Sequence, residues 1–134
     1  MGETVLVGDV GAPVAVHGVH GGDGVLLWKR FVTGNMLWSD LDSFEHVVVP
    51  PGVVIGEHVH SRTEEIYFIV RGRGEMRVGE ETRVVEAGQI VLTPLHERHT
   101  FRTLGDEPVE LIVSEMLPPA ITDVLPPHRP SEEA

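Results

Sequence analysis

The chain of 134 residues contains no cysteine. That excludes disulfides, thiolate nucleophiles, iron–sulfur clusters and cysteine-ligated zinc, and with them any reading of compartment from redox chemistry. Helix signals are also scarce, since no stretch repeats apolar residues at i, i+3, i+4 and i+7 over three turns. No apolar run reaches the roughly 20 residues that a membrane-crossing helix needs. Positive charge is thin: ten basic residues face 21 acidic ones, and Lys29 is the single lysine. A formal net charge of −11 repels phosphate backbones and anionic lipid, so neither nucleic acid nor a membrane surface is expected as a partner. Met1-Gly2-Glu3-Thr4 does not begin a basic segment followed by an apolar one. No secretory signal is therefore expected, and the expected location is cytoplasmic.

What the chain does have is short runs of Val, Ile, Leu and aromatic residues separated by Gly and Pro. Its length suits one domain with one core. Strands are predicted near Gly24–Val32, Glu45–Val49, Glu57–His60, Glu65–Arg71, Gly74–Val78, Thr82–Glu86, Gln89–Thr93, His99–Thr103 and Val109–Met116. Turn residues such as Pro50-Pro51-Gly52, Gly79-Glu80-Glu81 and Ala87-Gly88 divide them. Many short strands at this spacing predict an all-β sandwich or closed barrel. Residues 1–44 are expected to add N-terminal strands and a Gly-rich connection, His17 to Gly24, to a barrel over residues 45–116. The prolines of residues 117–134 predict an extended, poorly ordered tail. Val5–Val7 and Val14–Val16 are apolar and lie outside the barrel motifs, which predicts a homodimer through the N-terminal strands.

The chemistry concentrates in Glu57 to Phe68. Residues two apart in a strand share a face, so His58 and His60 project side by side and offer two nitrogen ligands to one metal ion. A turn at residues 61–63 then brings a second strand, on which Glu65, Tyr67 and Ile69 share one face while Glu64, Ile66 and Phe68 share the other. A fourth ligand must come from elsewhere, and His96 and His99 are both candidates. Either Trp28 with Arg30 or Lys29 with Phe31 faces inward.

At these residues the chain resembles the cupin superfamily. The first motif of that family is Gly, five residues, His-x-His, three or four residues, Glu, six residues, Gly. Gly52, His58, His60, Glu65 and Gly72 match it. The second motif is matched by Gly88, Pro94 and His99, with His96 standing in place of a Gly and Thr103 in place of an Asn. The resemblance implies a cupin-type antiparallel β-barrel, a jelly-roll-like double-stranded β-helix. It also implies one divalent transition metal ion on His58, His60, Glu65 and His99, with Glu65 preferred to Glu64 by its spacing to Gly72. Nitrogen and oxygen ligands of this kind admit Fe, Mn, Ni, Zn or Cu. Tyr67, Phe101 and Thr103 are expected to line the cavity because they lie an even number of residues from Glu65 or His99. His96, expected in the turn at the barrel mouth, is a further pocket candidate. The expected function is a metal-dependent enzyme acting on a small oxygen- or carboxylate-bearing metabolite: an oxygenase, decarboxylase, isomerase, lyase or cyclase. The alternatives are a non-catalytic small-molecule binding or sensor module and a purely structural metal.

Overall fold

A computed structural model describes residues 7–126. Ten strands run in the order β1 (Val14–His17), β2 (Val25–Thr33), β3 (Leu41–Val49), β4 (Val54–Val59), β5 (Glu64–Arg71), β6 (Arg73–Val78), β7 (Glu81–Glu86), β8 (Ile90–Thr93), β9 (Arg98–Thr103) and β10 (Val109–Met116). They form a six-stranded sheet, β1-β2-β3-β10-β5-β8, and a four-stranded sheet, β4-β9-β6-β7, antiparallel throughout. The strands make two facing sheets rather than one continuously hydrogen-bonded cylinder. The predicted all-β class holds, and so do the predicted strands, to within a few residues at their ends.

Alternation drives this arrangement. Along β10, Val109, Leu111 and Val113 point inward and are buried, while Glu110, Ile112 and Ser114 are partly exposed. Val47 and Val49 of β3, Ile69 of β5, Met76 of β6 and Phe101 of β9 complete the core between the sheets. The turn before β4 shows how the motif glycines act. The Val53 N–H donates to the Pro50 carbonyl at 3.2 Å, with Pro51 and Gly52 between them. Gly52 has φ 76, a conformation that glycine adopts without a Cβ penalty.

One expectation is corrected at the C-terminal end of the described residues. The segment after β10 is not simply extended. Leu117 is buried, its N–H donates to the Asp40 carbonyl at 2.9 Å, and a helical turn, α1, follows at Pro119–Thr122. At the other end, Val16 of β1 packs against the core of its own chain, so β1 needs no partner to bury that residue. Val5 and Leu6, which also motivated the dimer, lie outside the described residues.

Candidate metal centre

The centre is assembled from both sheets. His58 on β4 lies directly opposite His99 on β9, and Glu65 comes from β5 in the facing sheet. The register shifts between Ile55 and His58. This bulge lets both side chains face the interior although they lie three residues apart, an odd spacing that a regular strand would send to opposite faces. His60 occupies the turn after β4, held there by the His96 N–H, which donates to the His60 carbonyl at 2.9 Å. The resulting ring centroids are 4.0 Å apart for His58 and His99, 4.9 Å for His58 and His60, and 5.2 Å for His60 and His99. One potential ligand atom from each of His58, His60, Glu65 and His99 lies within 4.8 Å of all the others.

Backbone carbonyls set the tautomers. The His58 Nδ1–H donates to the Gly56 carbonyl at 2.8 Å, and His99 Nδ1 faces the Glu97 carbonyl at 3.3 Å. A carbonyl only accepts, so Nδ1 carries the proton and Nε2 keeps its lone pair for the centre. His60 Nε2 meets Glu65 Oε1. His99 Nε2 is 3.3 Å from that same oxygen, yet both atoms are buried without a properly oriented hydrogen bond. Burying such atoms unpaired costs about 1–3 kcal/mol each. Two lone-pair atoms facing each other without a hydrogen bond between them, beside two further candidate ligand atoms, are what a divalent cation would satisfy, and the three-nitrogen, one-carboxylate set suits a transition metal.

Burial and pairing tune the candidate ligands. Burial pushes His58 down to about 4, so its imidazole is neutral near pH 7. Burial alone would raise Glu65, but the facing His60 and His99 imidazoles reverse that and hold it at about 2. His60 is raised, chiefly by its contact with Glu65.

The cluster opens onto a cavity of about 510 Å³. Val16, Leu26, Trp28, Val47, Ile55 and Leu111 supply apolar wall, and Tyr67 stands edge-on to His99 at 6.1 Å. Burial, then the neighbouring carboxylates, push the Tyr67 phenol well above its usual range, so it stays protonated. The choice left open on β2 is decided in favour of Trp28 and Arg30, which line the cavity. The Arg30 guanidinium lies over the Trp28 ring at 5.1 Å and reaches Glu45 at 3.3 Å. Arg62 Nη2 is 3.5 Å from Asp42. Glu115, raised to about 7 by burial and then by Glu45 and Glu65, completes the charged wall.

Three pocket candidates lie elsewhere. Phe101 is 1% exposed and sits deeper in the core, its ring against Gly74, where a Cβ would collide with it. Thr103 is also buried, and its hydroxyl donates to the Val49 carbonyl at 2.8 Å, so it serves the scaffold. Even spacing placed both on the inward face correctly, but distance along β9 carries them away from the open end. His96 is exposed in its turn at φ 67 and accepts the backbone strain that glycine would avoid. Sequence reasoning did not find Glu45, Glu115 or His20 in the cavity wall. Strand alternation offered a signal for the first two, and none existed for the third.

The fold and site define a small antiparallel β-domain with a partly buried three-His, one-Glu cluster at the open end. The cupin domain family matches residues 45–115, and the chain belongs to that family. It is 37% identical over 65 residues to the polyketide synthase CurC of Streptomyces cyaneus, a match covering 48% of this chain and 42% of CurC. It is 24% identical over 100 residues to an oxalate-binding protein of Thermotoga maritima, covering 75% of this chain and 83% of that one. The crystal structure of a predicted oxalate decarboxylase from Thermotoga maritima superposes with a TM-score of 0.76. That match has 24% identity over 79% of this chain and 92% of the other.

Proposed function

We propose that the chain is a metal-dependent cupin enzyme that acts on a small oxygen-bearing metabolite at His58, His60, Glu65 and His99. The reaction is of oxygenase, decarboxylase, isomerase, lyase or cyclase type, and the protein works as a homodimer. The observation that carries this reading is a cluster of four convergent ligands opening onto a cavity large enough for a metabolite. A bound divalent metal would act there as a Lewis acid toward substrate oxygen. His58 and His99 would hold their Nε2 atoms toward it, and the protonated Tyr67 phenol can donate a hydrogen bond to a substrate oxygen.

The wall chemistry narrows the substrate. Both cavity arginines already face carboxylates, Arg30 with Glu45 and Arg62 with Asp42, while Glu115 adds a further acid. Apart from a bound metal, the described residues of that wall offer a small dianion no arginine that is not already facing a carboxylate. An apolar or aromatic body carrying hydroxyl or keto oxygens fits it better, in line with the similarity to a polyketide synthase protein. The second reading, a metal-bearing binding module, is favoured by the similarity to an oxalate-binding protein.

The test uses protein loaded separately with Fe(II), Mn(II), Ni(II), Zn(II) and Cu(II). Each form is incubated with oxalate and with an aromatic 1,3-diketone, and consumption is followed by chromatography and mass spectrometry. Water-proton relaxation of the Mn(II) form is read in parallel. Exchangeable water on the metal and metal-dependent consumption of the diketone are expected. Binding without consumption under every metal would favour the binding module, and a site with no exchangeable water would favour a structural metal.

A further inference from the structure

Between β1 and β2 the chain makes a 3-10 turn at Val19–Gly21, and His20 within it has φ 53 and ψ 36. Among the described residues only His20 and His96 have positive φ without being glycine. Such a conformation is costly for an L-residue and persists only where its surroundings hold it. Here they do. Asp23 and Val54 exchange backbone hydrogen bonds of 3.0 and 2.9 Å, which tie the segment to β4 across the two sheets. Two glycines allow the close approach: a Cβ on Gly22 would collide with the Val54 carbonyl, and one on Gly56 with the His20 carbonyl. The result is a ring laid flat on His58, with centroids 3.6 Å apart and planes 11° apart, and edge-on to His60 at 6.2 Å.

We propose that His20 is a positioning residue for the metal centre, clamping the His58 imidazole so that its Nε2 stays aimed at the other ligands. The Gly56 carbonyl fixes the in-plane orientation of His58 through Nδ1, and the His20 face fixes its tilt. His99 closes in from another direction at 4.0 Å with planes 63° apart. His20 is not one of the four residues whose ligand atoms converge, so it acts through His58. This inference rests on His58 being a metal ligand.

Three variants test it by Co(II) titration against a competing chelator, with the Co(II) d–d spectrum as the geometric readout. His20→Asn keeps a residue that tolerates positive φ and removes the ring. His20→Phe keeps a stacking face and removes both nitrogens. Gly22→Ala pushes the turn off β4 while leaving His20 intact. His20→Asn and Gly22→Ala are each expected to lose at least tenfold in Co(II) affinity and to change the spectrum, as loss of an orienting neighbour does. His20→Phe is expected to retain both. If the parent protein fails to bind Co(II), the metal reading itself falls. If the parent binds and both His20→Asn and Gly22→Ala bind equally with an unchanged spectrum, His20 is not a positioning residue. If His20→Phe is as weak as His20→Asn, the nitrogens matter rather than the stack, and the clamp is again overturned. Should His20→Asn not fold by far-UV circular dichroism, Gly22→Ala against His20→Phe decides alone.

Discussion

Adjacent residues of identical chemistry have opposite fates here. Glu65 is buried facing three imidazoles, whereas Glu64, one position earlier on the same strand, is exposed on the outer face. The pleat of β5 produces this, and register with Glu115 on one side and Thr93 on the other holds it. Glu65→Gln keeps the volume and replaces an anionic oxygen by a neutral amide. Metal affinity is expected to fall at least tenfold, while Glu64→Gln should change it less than twofold. Paired metal titrations check this. The reverse pattern would mean that β5 is one residue out of register and that Tyr67 does not face the cavity.

The elements matter mainly through their irregularities. The bulge between Ile55 and His58 brings an apolar wall residue and a ligand to one side of β4, and the shift between Arg30 and Val32 accompanies the inward placing of Trp28 and Arg30 on β2. Neither bulge is fixed by Arg30-Phe31-Val32 or Ile55-Gly56-Glu57-His58 alone, because the partner strand decides which residue is left unpaired. β1 is an edge strand of the larger sheet with Val14 exposed. Edges of this kind are covered or paired in stable proteins. Sedimentation velocity is therefore expected to give the mass of a dimer, and a monomer would overturn the assembly while leaving the site untouched.

For the molecule as a whole, a metal ion held by the cluster would be coupled to protons and to stability. With no metal bound, a protonated His60 would be held against the Glu65 carboxylate. Because the folded pKa of His60 is raised, that contribution is fully present below about pH 6.5 and is lost as pH rises through the raised value. A bound metal ion would compete with that proton, since it needs the imidazole neutral. Glu65, at about 2, is anionic throughout, and His58, at about 4, stays neutral until well into acid. Metal binding at pH 6.5 is expected to release protons measurably in weak buffer, and occupancy is expected to fall as pH drops below that point. Free metal at about 100 times its dissociation constant should add roughly 2.7 kcal/mol of stability, a rise in Tm of about 5–15 °C that a chelator removes. Occupancy unchanged down to pH 4, or a Tm indifferent to confirmed metal removal, would contradict this coupling.

How much was legible follows from what each signal measures. Period-two alternation and turn glycines determined the strands, the inward faces of β5 and β9 and the all-β class, because these depend only on neighbours along the chain. Spacing brought His58, His60, Glu65 and His99 to notice, since fixed intervals between strands of one fold carry a site with them. The tertiary structure decided everything that depends on depth or on contacts between sheets. It placed Phe101 and Thr103 in the closed core rather than the cavity, chose Trp28 and Arg30 over Lys29 and Phe31, and buried Leu117 beneath what read as a loose tail. It also brought His20, from a glycine-rich connection with no pattern of its own, onto the face of His58. A pair of backbone hydrogen bonds between residues far apart in the chain holds that contact, and no local periodicity encodes such a bridge.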